Sequence, residues 1–152
     1  FTEWISPIGT LGLVGSEFGL ECLLWEHQCK NLPAIPKGSN SVLEDTKKQL
    51  AQYLEGKRKV FHLKLAPNGT WFQKAVWHEV STVPFGKKLS YGELAQHLGS
   101  SQKARAVGMA LSRNPIPLIV PCHRVVGAKG NLGGFSGGTA MKSFLLDLEG
   151  SV

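Results

Sequence analysis

The chain predicts an α+β fold in two parts: a strand-led α/β unit over 1–66, and a helical unit of winged, helix-turn-helix character over 70–152. Three observations carry this reading. Short β-type runs separated by Gly and Pro turns crowd the stretch from Trp4 to Trp25. Two capping boxes, Thr70-Trp71-Phe72-Gln73 and Ser90-Tyr91-Gly92-Glu93, open helices in the second part, each with a hydroxyl at the cap and an amide or carboxylate three residues on. Two short helices there meet across Gly99-Ser100-Ser101, the arrangement of a helix-turn-helix.

Taken in order, Trp4-Ile5 and Leu11-Gly12-Leu13-Val14 read as strands about the turn Ser6-Pro7-Ile8-Gly9. Gly15-Ser16-Glu17-Phe18-Gly19 turns the chain into a third strand from Leu20 to Trp25, and a Pro, Gly, Ser and Asn-rich loop runs from Asn31 to Asn40. Val42 to Leu54 reads as a helix with Val42, Leu43, Leu50 and Leu54 on its apolar side and Gly56 as its stop. Phe61, Leu63 and Leu65 alternate as an exposed or edge strand, and Pro67-Asn68-Gly69 is the boundary. Beyond it, Phe72, Val76, Val80 and Val83 make one helical face that Pro84-Phe85-Gly86 ends. The second box opens a short helix through Leu94, Ala95 and Leu98, closed by Gly99. A third helix starts near Ser100 or Ser101, turns Ala104, Val107, Gly108 and Leu111 inward, and stops at Asn114-Pro115. The apolar run Pro115 to Val120 reads as a buried extended segment that forms a wing with the Gly-rich loop after it. A last helix follows Gly137-Gly138, with Met141, Phe144, Leu145 and Leu148 as its buried stripe and Gly150 just past its end.

Composition narrows the function. A hydrophobic fraction of 42% is that of a globular protein, and no apolar run approaches the roughly 18 residues of a membrane span. No signal-peptide pattern is visible, and three cysteines make no disulfide framework, so a reducing, cytoplasmic setting is expected, nuclear in a eukaryote. The net charge is +6, and it is uneven. Residues 1–69 hold eight Lys/Arg against seven Asp/Glu, whereas 70–152 hold nine against four. A basic second half suits an anionic partner, although a merely solubilising basic face gives the same count. Cys22, His27 and Cys29 lack the spacing of a closed zinc site; neither metal nor cofactor is expected.

Pro121-Cys122-His123-Arg124-Val125 carries the chemistry. A cysteine beside a histidine is a nucleophile beside its base, and the preceding apolar run would shelter the thiol. A buried Cys can equally be a small core residue. On the third helix, Gln102, Arg105, Met109, Ser112 and Arg113 fall on the outer side. A long cation on a helix of small residues suits DNA contact or insertion into a base stack, or simply solvation. The helix starts at Phe72, Tyr91-Gly92 and Ser100 would point free N–H groups outward, where phosphates could bind.

These pieces together closely resemble the O6-alkylguanine-DNA alkyltransferases. The matching stretches are Phe72-Gln73 with Val76-Trp77, Ser90 to Ala95, Ala104 to Gly108, Asn114-Pro115-Ile116-Pro117, Pro121 to Val126, and Gly137-Gly138 through Lys142 to Glu149. They follow in order over 70–150; residues 1–69 fit the family's ribonuclease-H-like N-terminal domain by length and strand order.

The resemblance implies direct-reversal repair of double-stranded DNA bearing O6-alkylguanine, with O4-alkylthymine left open as a second substrate. The base is flipped out and its alkyl group passes irreversibly to Cys122, once per molecule. It implies His123 as base through a water, Glu149 orienting His123, Asn114 tying the helix-turn-helix to the active-site segment, and Tyr91 donating to the base. Main-chain carbonyls of Cys122 and Val125 would read the exocyclic amine, the Ser136 N–H would meet O6, and Phe135 and Lys142 complete the substrate set. Phe72, Tyr91, Gly92, Ser100, Arg105 and Ala128 are the implied DNA contacts, made from the minor groove, with Arg105 filling the gap the base leaves. A monomer is implied. Phe135 stands where some members have tyrosine, which loses a hydroxyl.

Three rivals remain. A DNA-binding module without chemistry, as in the alkyltransferase-like proteins, lacks the reactive cysteine that this chain has. A thiol hydrolase leaves the basic helix-turn-helix unexplained, and the catalytic half of a larger sensor-regulator would bring an added zinc domain.

Overall fold

The computed structural model describes residues 1–30, 36–127 and 132–150. The chain divides into two compact units, Phe1–Asn68 and Gly69–Val152.

The first unit is built on an antiparallel meander of β1 (Thr2–Ser6), β2 (Gly9–Ser16) and β3 (Gly19–Leu24). The Ser6 hydroxyl sets the first turn: it donates to the Gly9 carbonyl at 2.6 Å and accepts from the Ile8 N–H at 3.1 Å. Gly19 needs its glycine twice over, with φ of +142° and a Cβ position only 2.9 Å from the Lys64 carbonyl oxygen. A short helix, α1 (Glu26–Cys29), follows β3 and was not expected from sequence. Helix α2 (Ser41–Leu54) starts where the Asn40 side chain accepts from the Leu43 N–H at 2.9 Å. It buries Leu43, Thr46, Gln49, Leu50 and Tyr53 against the sheet. Val42 and Leu54, expected on that face, are only half-buried.

The expected strand over Phe61–Leu65 shrinks to one parallel bridge between Leu20 and Leu65. The reason lies in where its main-chain groups go. The Gln49 amide donates to the His62 carbonyl at 3.0 Å and accepts from the His62 N–H at 2.8 Å, so a helix side chain occupies the groups that a strand would pair.

In the second unit both capping boxes are present. Thr70 and Gln73 close the start of α3 (Trp71–Val80), and Ser90 and Glu93 that of α4 (Tyr91–His97). The buried face of α3 is Val76, Trp77 and Val80; Phe72 is half-buried, and Trp77 supplies the anchor by donating its indole N–H to the Ala110 carbonyl at 2.8 Å. A 3-10 turn, Ser101–Lys103, leads into α5 (Ala104–Ser112), which buries Val107, Ala110 and Leu111. Two short strands, β4 (Leu89–Ser90) and β5 (Val125–Val126), pair in parallel and fix the start of α4 beside the cysteine segment. The run Pro115–Val120 is largely buried as expected but not extended. It turns back on itself, with the Val120 N–H bonded to the Ile116 carbonyl at 2.9 Å and Leu118 held at a φ of +75°. The final helix, α6 (Thr139–Leu148), buries Lys142, Leu145 and Leu146, whereas Phe144, expected inside, is 46% exposed. Among the described residues no helix is long and apolar enough to cross a membrane.

Candidate active site

The site begins with the turn at Pro115–Val120, because that turn sets down Cys122. Asn114, buried just past α5, holds it from both sides: its amide donates to the Val120 carbonyl at 3.0 Å, and its carbonyl accepts from the Ile116 N–H at 3.0 Å. Cys122 then opens a 3-10 turn, Cys122–Arg124, and the residue is only 8% exposed. It lies on the wall of a cavity of about 390 Å³ shared with Tyr91, Gly108, Leu111, Ser112, Gly134, Phe135 and Ser136. Site residues expected from scattered parts of the sequence, Tyr91 as proton donor and Phe135 and Ser136 as substrate contacts, therefore meet the cysteine in one pocket. Gly108, expected in the core, lines this cavity instead, and Leu111 and Ser112 were not foreseen there.

Burial pushes the Cys122 thiol above its ordinary value of 9.0, against a hydrogen bond from Asn114 and the positive charge of Lys142 that both favour the thiolate. The thiol is therefore neutral at rest, and its proton must leave before the sulfur can act as a nucleophile. His123, fully buried, is the adjacent acceptor. Burial lowers its imidazole below 6.5, outweighing Glu149, so it is uncharged and able to take a proton at neutral pH. Its Nε2 lies 2.7 Å from Glu149 Oε2, while its Nδ1 has no hydrogen-bond partner among the described residues.

Glu149 sits at the C-cap of α6, where the helix dipole opposes a carboxylate. Arg124 offsets this from beside His123. Its Nε donates to Glu149 Oε1 at 2.9 Å and its Nη2 to Oε2 at 3.0 Å, while Nη1 donates to the Val83 carbonyl at 2.7 Å. The motif Pro121–Val125 by itself gives Arg124 no role, because its partner Glu149 lies 25 residues further along the chain.

Lys142 is wholly buried because its ammonium donates to the Val125 carbonyl at 2.6 Å and the Gly134 carbonyl at 3.3 Å. It thereby ties the Gly133–Gly134 loop to the cysteine segment. The Val125 carbonyl, expected to read the guanine amine, already receives this ammonium and has one lone pair left for a ligand. Lys142 also lies 5.9 Å from the Tyr91 ring centroid. The Tyr91 hydroxyl is pushed above 10.0, first by burial, so it stays a proton donor. Phe135 packs edge-on to His123 with centroids 6.3 Å apart. Gly133, at φ +74°, leaves room for Tyr91: a Cβ there would stand 2.8 Å from the tyrosine oxygen.

Apart from Tyr91, which lines the cavity, the described DNA contacts expected from sequence lie outside this set. Arg105 is exposed on α5, as are Met109 and Ser112, with Gln102 exposed in the 3-10 turn before it and Arg113 at its C-cap. Gly92 is exposed at the start of α4, and Ser100 caps the 3-10 turn before α5 by accepting from the Gln102 N–H at 3.2 Å, but its own N–H, expected to be free for a phosphate, is bonded to the Ala95 carbonyl at 3.1 Å. Ala128 lies outside the described residues. No group of three or more His, Cys, Asp or Glu residues that could hold a metal occurs among the described residues.

Comparison with known proteins matches both units. Residues 4–67 fit the ribonuclease-like domain of 6-O-methylguanine DNA methyltransferase, and residues 71–151 fit its DNA binding domain. A methylated-DNA–protein-cysteine methyltransferase of Methanosarcina acetivorans is 44% identical, over 96% of this chain and 95% of its own length. An inducible one of Bacillus subtilis is 39% identical over 98% of this chain and 86% of its own length. The crystal structure of the Mycobacterium tuberculosis OGT in complex with DNA superposes with a TM-score of 0.89 at 40% identity, covering 97% of this chain and 90% of that one. With both units matched and a buried Cys-His-Glu arrangement of this geometry, the chain belongs to the 6-O-methylguanine DNA methyltransferase family.

Proposed function

We propose that this protein repairs DNA by direct reversal, drawing an O6-alkylguanine out of the duplex and taking its alkyl group onto Cys122. The observation that carries the reading is the buried thiol on the wall of a base-sized cavity, next to a neutral histidine held by a carboxylate. The Cys122 proton passes to His123 Nδ1 through a water. The sulfur then attacks the alkyl carbon: an S–C bond forms as the C–O6 bond breaks, and guanine leaves as an anion. Tyr91 gives that anion a proton, and the Ser136 N–H meets O6. Lys142 acts less on the base than on the pocket, by holding the Gly134 loop and the Val125 carbonyl in place. Asn114 holds the thiol in register with the cavity.

Arg105 reaches from the exposed side of α5 into the space the base vacates, and the N–H groups at Phe72, Tyr91 and Gly92 receive phosphates. The product is a thioether, which water does not cleave, so each molecule works once. The setting proposed is cytoplasmic and the acting form a monomer. Related proteins whose names state this activity support the reading.

Incubation with a duplex carrying a radiolabelled O6-methylguanine tests it. One equivalent of label should appear on Cys122 with no turnover. Cys122→Ala should abolish transfer and keep DNA binding. Binding by the wild-type chain without any transfer would instead favour a module that recognises damage and does no chemistry.

A further inference from the structure

The Glu149 carboxylate is saturated. Oε2 accepts from Arg124 Nη2 at 3.0 Å and faces His123 Nε2 at 2.7 Å, while Oε1 accepts from Arg124 Nε at 2.9 Å and lies 3.5 Å from the Gly86 N–H. All of these neighbours except the imidazole can only donate. A carboxylate gripped by a guanidinium fork stays ionised, and an ionised carboxylate can only accept. His123 Nε2 must therefore carry the hydrogen, which leaves the lone pair on Nδ1, the atom without a partner among the described residues.

We propose that Arg124 is the positioning residue that fixes the tautomer of His123: by its fork on Glu149 it turns Nδ1 into the proton acceptor of the site. The assignment rests on the reading that Cys122 accepts an alkyl group, and it deepens that reading. The third bond of Arg124, from Nη1 to the Val83 carbonyl at 2.7 Å, anchors the fork to the chain just beyond α3, so Glu149 cannot carry the guanidinium with it. Among the described residues, the charged and titratable groups facing His123 are Glu149 at the C-cap of α6, Lys142 from within it and Arg124 from its own turn, with Cys122 its neighbour in the chain.

Removing the Arg124 charge lets the His123–Glu149 pair hold a proton more tightly, so the acid limb of transfer moves to higher pH. Arg124→Gln should slow transfer from a free O6-alkylguanine base on the order of tenfold to a hundredfold at neutral pH and shift that limb upward. Arg124→Lys keeps the charge and loses the fork; its transfer should slow with the limb near the wild-type position. A wild-type rate in Arg124→Gln, or a slowed rate with no shift of the limb, overturns the assignment. If Arg124→Gln does not fold, Arg124→Lys decides, and a full wild-type rate there overturns it.

A second measurement needs no transfer. Nitrogen-15 spectra of the full-length wild-type chain, with His123 assigned by comparison with His123→Gln, should show Nε2 protonated and Nδ1 bare at neutral pH. A proton on Nδ1 refutes the proposal. Bare Nδ1 in a chain that fails to transfer would sink the repair reading and still support this one.

Discussion

Asn114→Ala tests the link between the turn at Pro115–Val120 and the reactivity of Cys122. The side chain makes two hydrogen bonds to buried main chain, to the Val120 carbonyl and from the Ile116 N–H, both at 3.0 Å. The Ile116 N–H is left unpaired at about 1–3 kcal/mol, whereas the Val120 carbonyl keeps its bond from the Cys122 N–H and loses only about 1 kcal/mol, so a loss of about 2–4 kcal/mol is expected. The turn also holds Leu118 in the left-handed region, which a leucine does not choose unaided. The same substitution removes a hydrogen bond that favours the Cys122 thiolate, so the thiol should titrate at still higher pH. Urea unfolding gives the first quantity. Reaction with a disulfide reagent against pH gives the second, in a background of Cys22→Ser and Cys29→Ser. A stability loss under about 1 kcal/mol, or a thiol titration that stays put or moves down, would refute the claim that Asn114 organises the site.

Arg105→Ala should slow repair about tenfold in duplex DNA and leave transfer from a free base unchanged, because only the duplex requires unstacking; equal loss in both would argue against Arg105 filling the vacated space. Trp77→Phe should cost about 1–2 kcal/mol in urea unfolding, since the Ala110 carbonyl keeps its bond from the Arg113 N–H and loses only the indole. The pH dependence follows from His123, whose folded-state value is lowered below the 6.5 of the unfolded chain. Its contribution to stability is present above 6.5 and is lost as pH falls from there through the lowered folded value, because the unfolded chain binds the proton first. Transfer should likewise hold from neutral pH down past 6.5 and fall only below it, and a limb at or above 6.5 in single-turnover rates would contradict a buried, neutral imidazole.

Local signals in the sequence translated directly. Thr70-Gln73 and Ser90-Glu93 each place both partners within one helical turn, so the caps are legible without tertiary knowledge. What was misread depends on bonds between distant residues. The apolar run Pro115–Val120 has the composition of a strand, yet Asn114 and Ile116 divert its main-chain groups into a turn. The last helix was assigned a stripe through Phe144, but carbonyls of Val125 and Gly134 pull the Lys142 ammonium inward and turn Phe144 out. Cys122 and His123 were visible as neighbours in sequence; Arg124 stood beside them, and its task became visible only with Glu149 folded against it.

The placement of Cys122 resolves two opposed requirements. A thiol that must survive until damage arrives is best kept neutral, and burial does that by raising its ionisation above 9.0. A thiol that must then attack an unactivated alkyl carbon has to lose its proton, and the wall that protects it withholds bulk water from the task. In the proposed mechanism His123 supplies the acceptor from within the wall, and Glu149 with Arg124 leaves it one lone pair to use. An enzyme that turns over would also need a route to return the proton and clear the sulfur. A site that is consumed by its product requires only the outward path, and the geometry around Cys122 is economical in that sense: one acceptor, fixed in orientation, for one transfer.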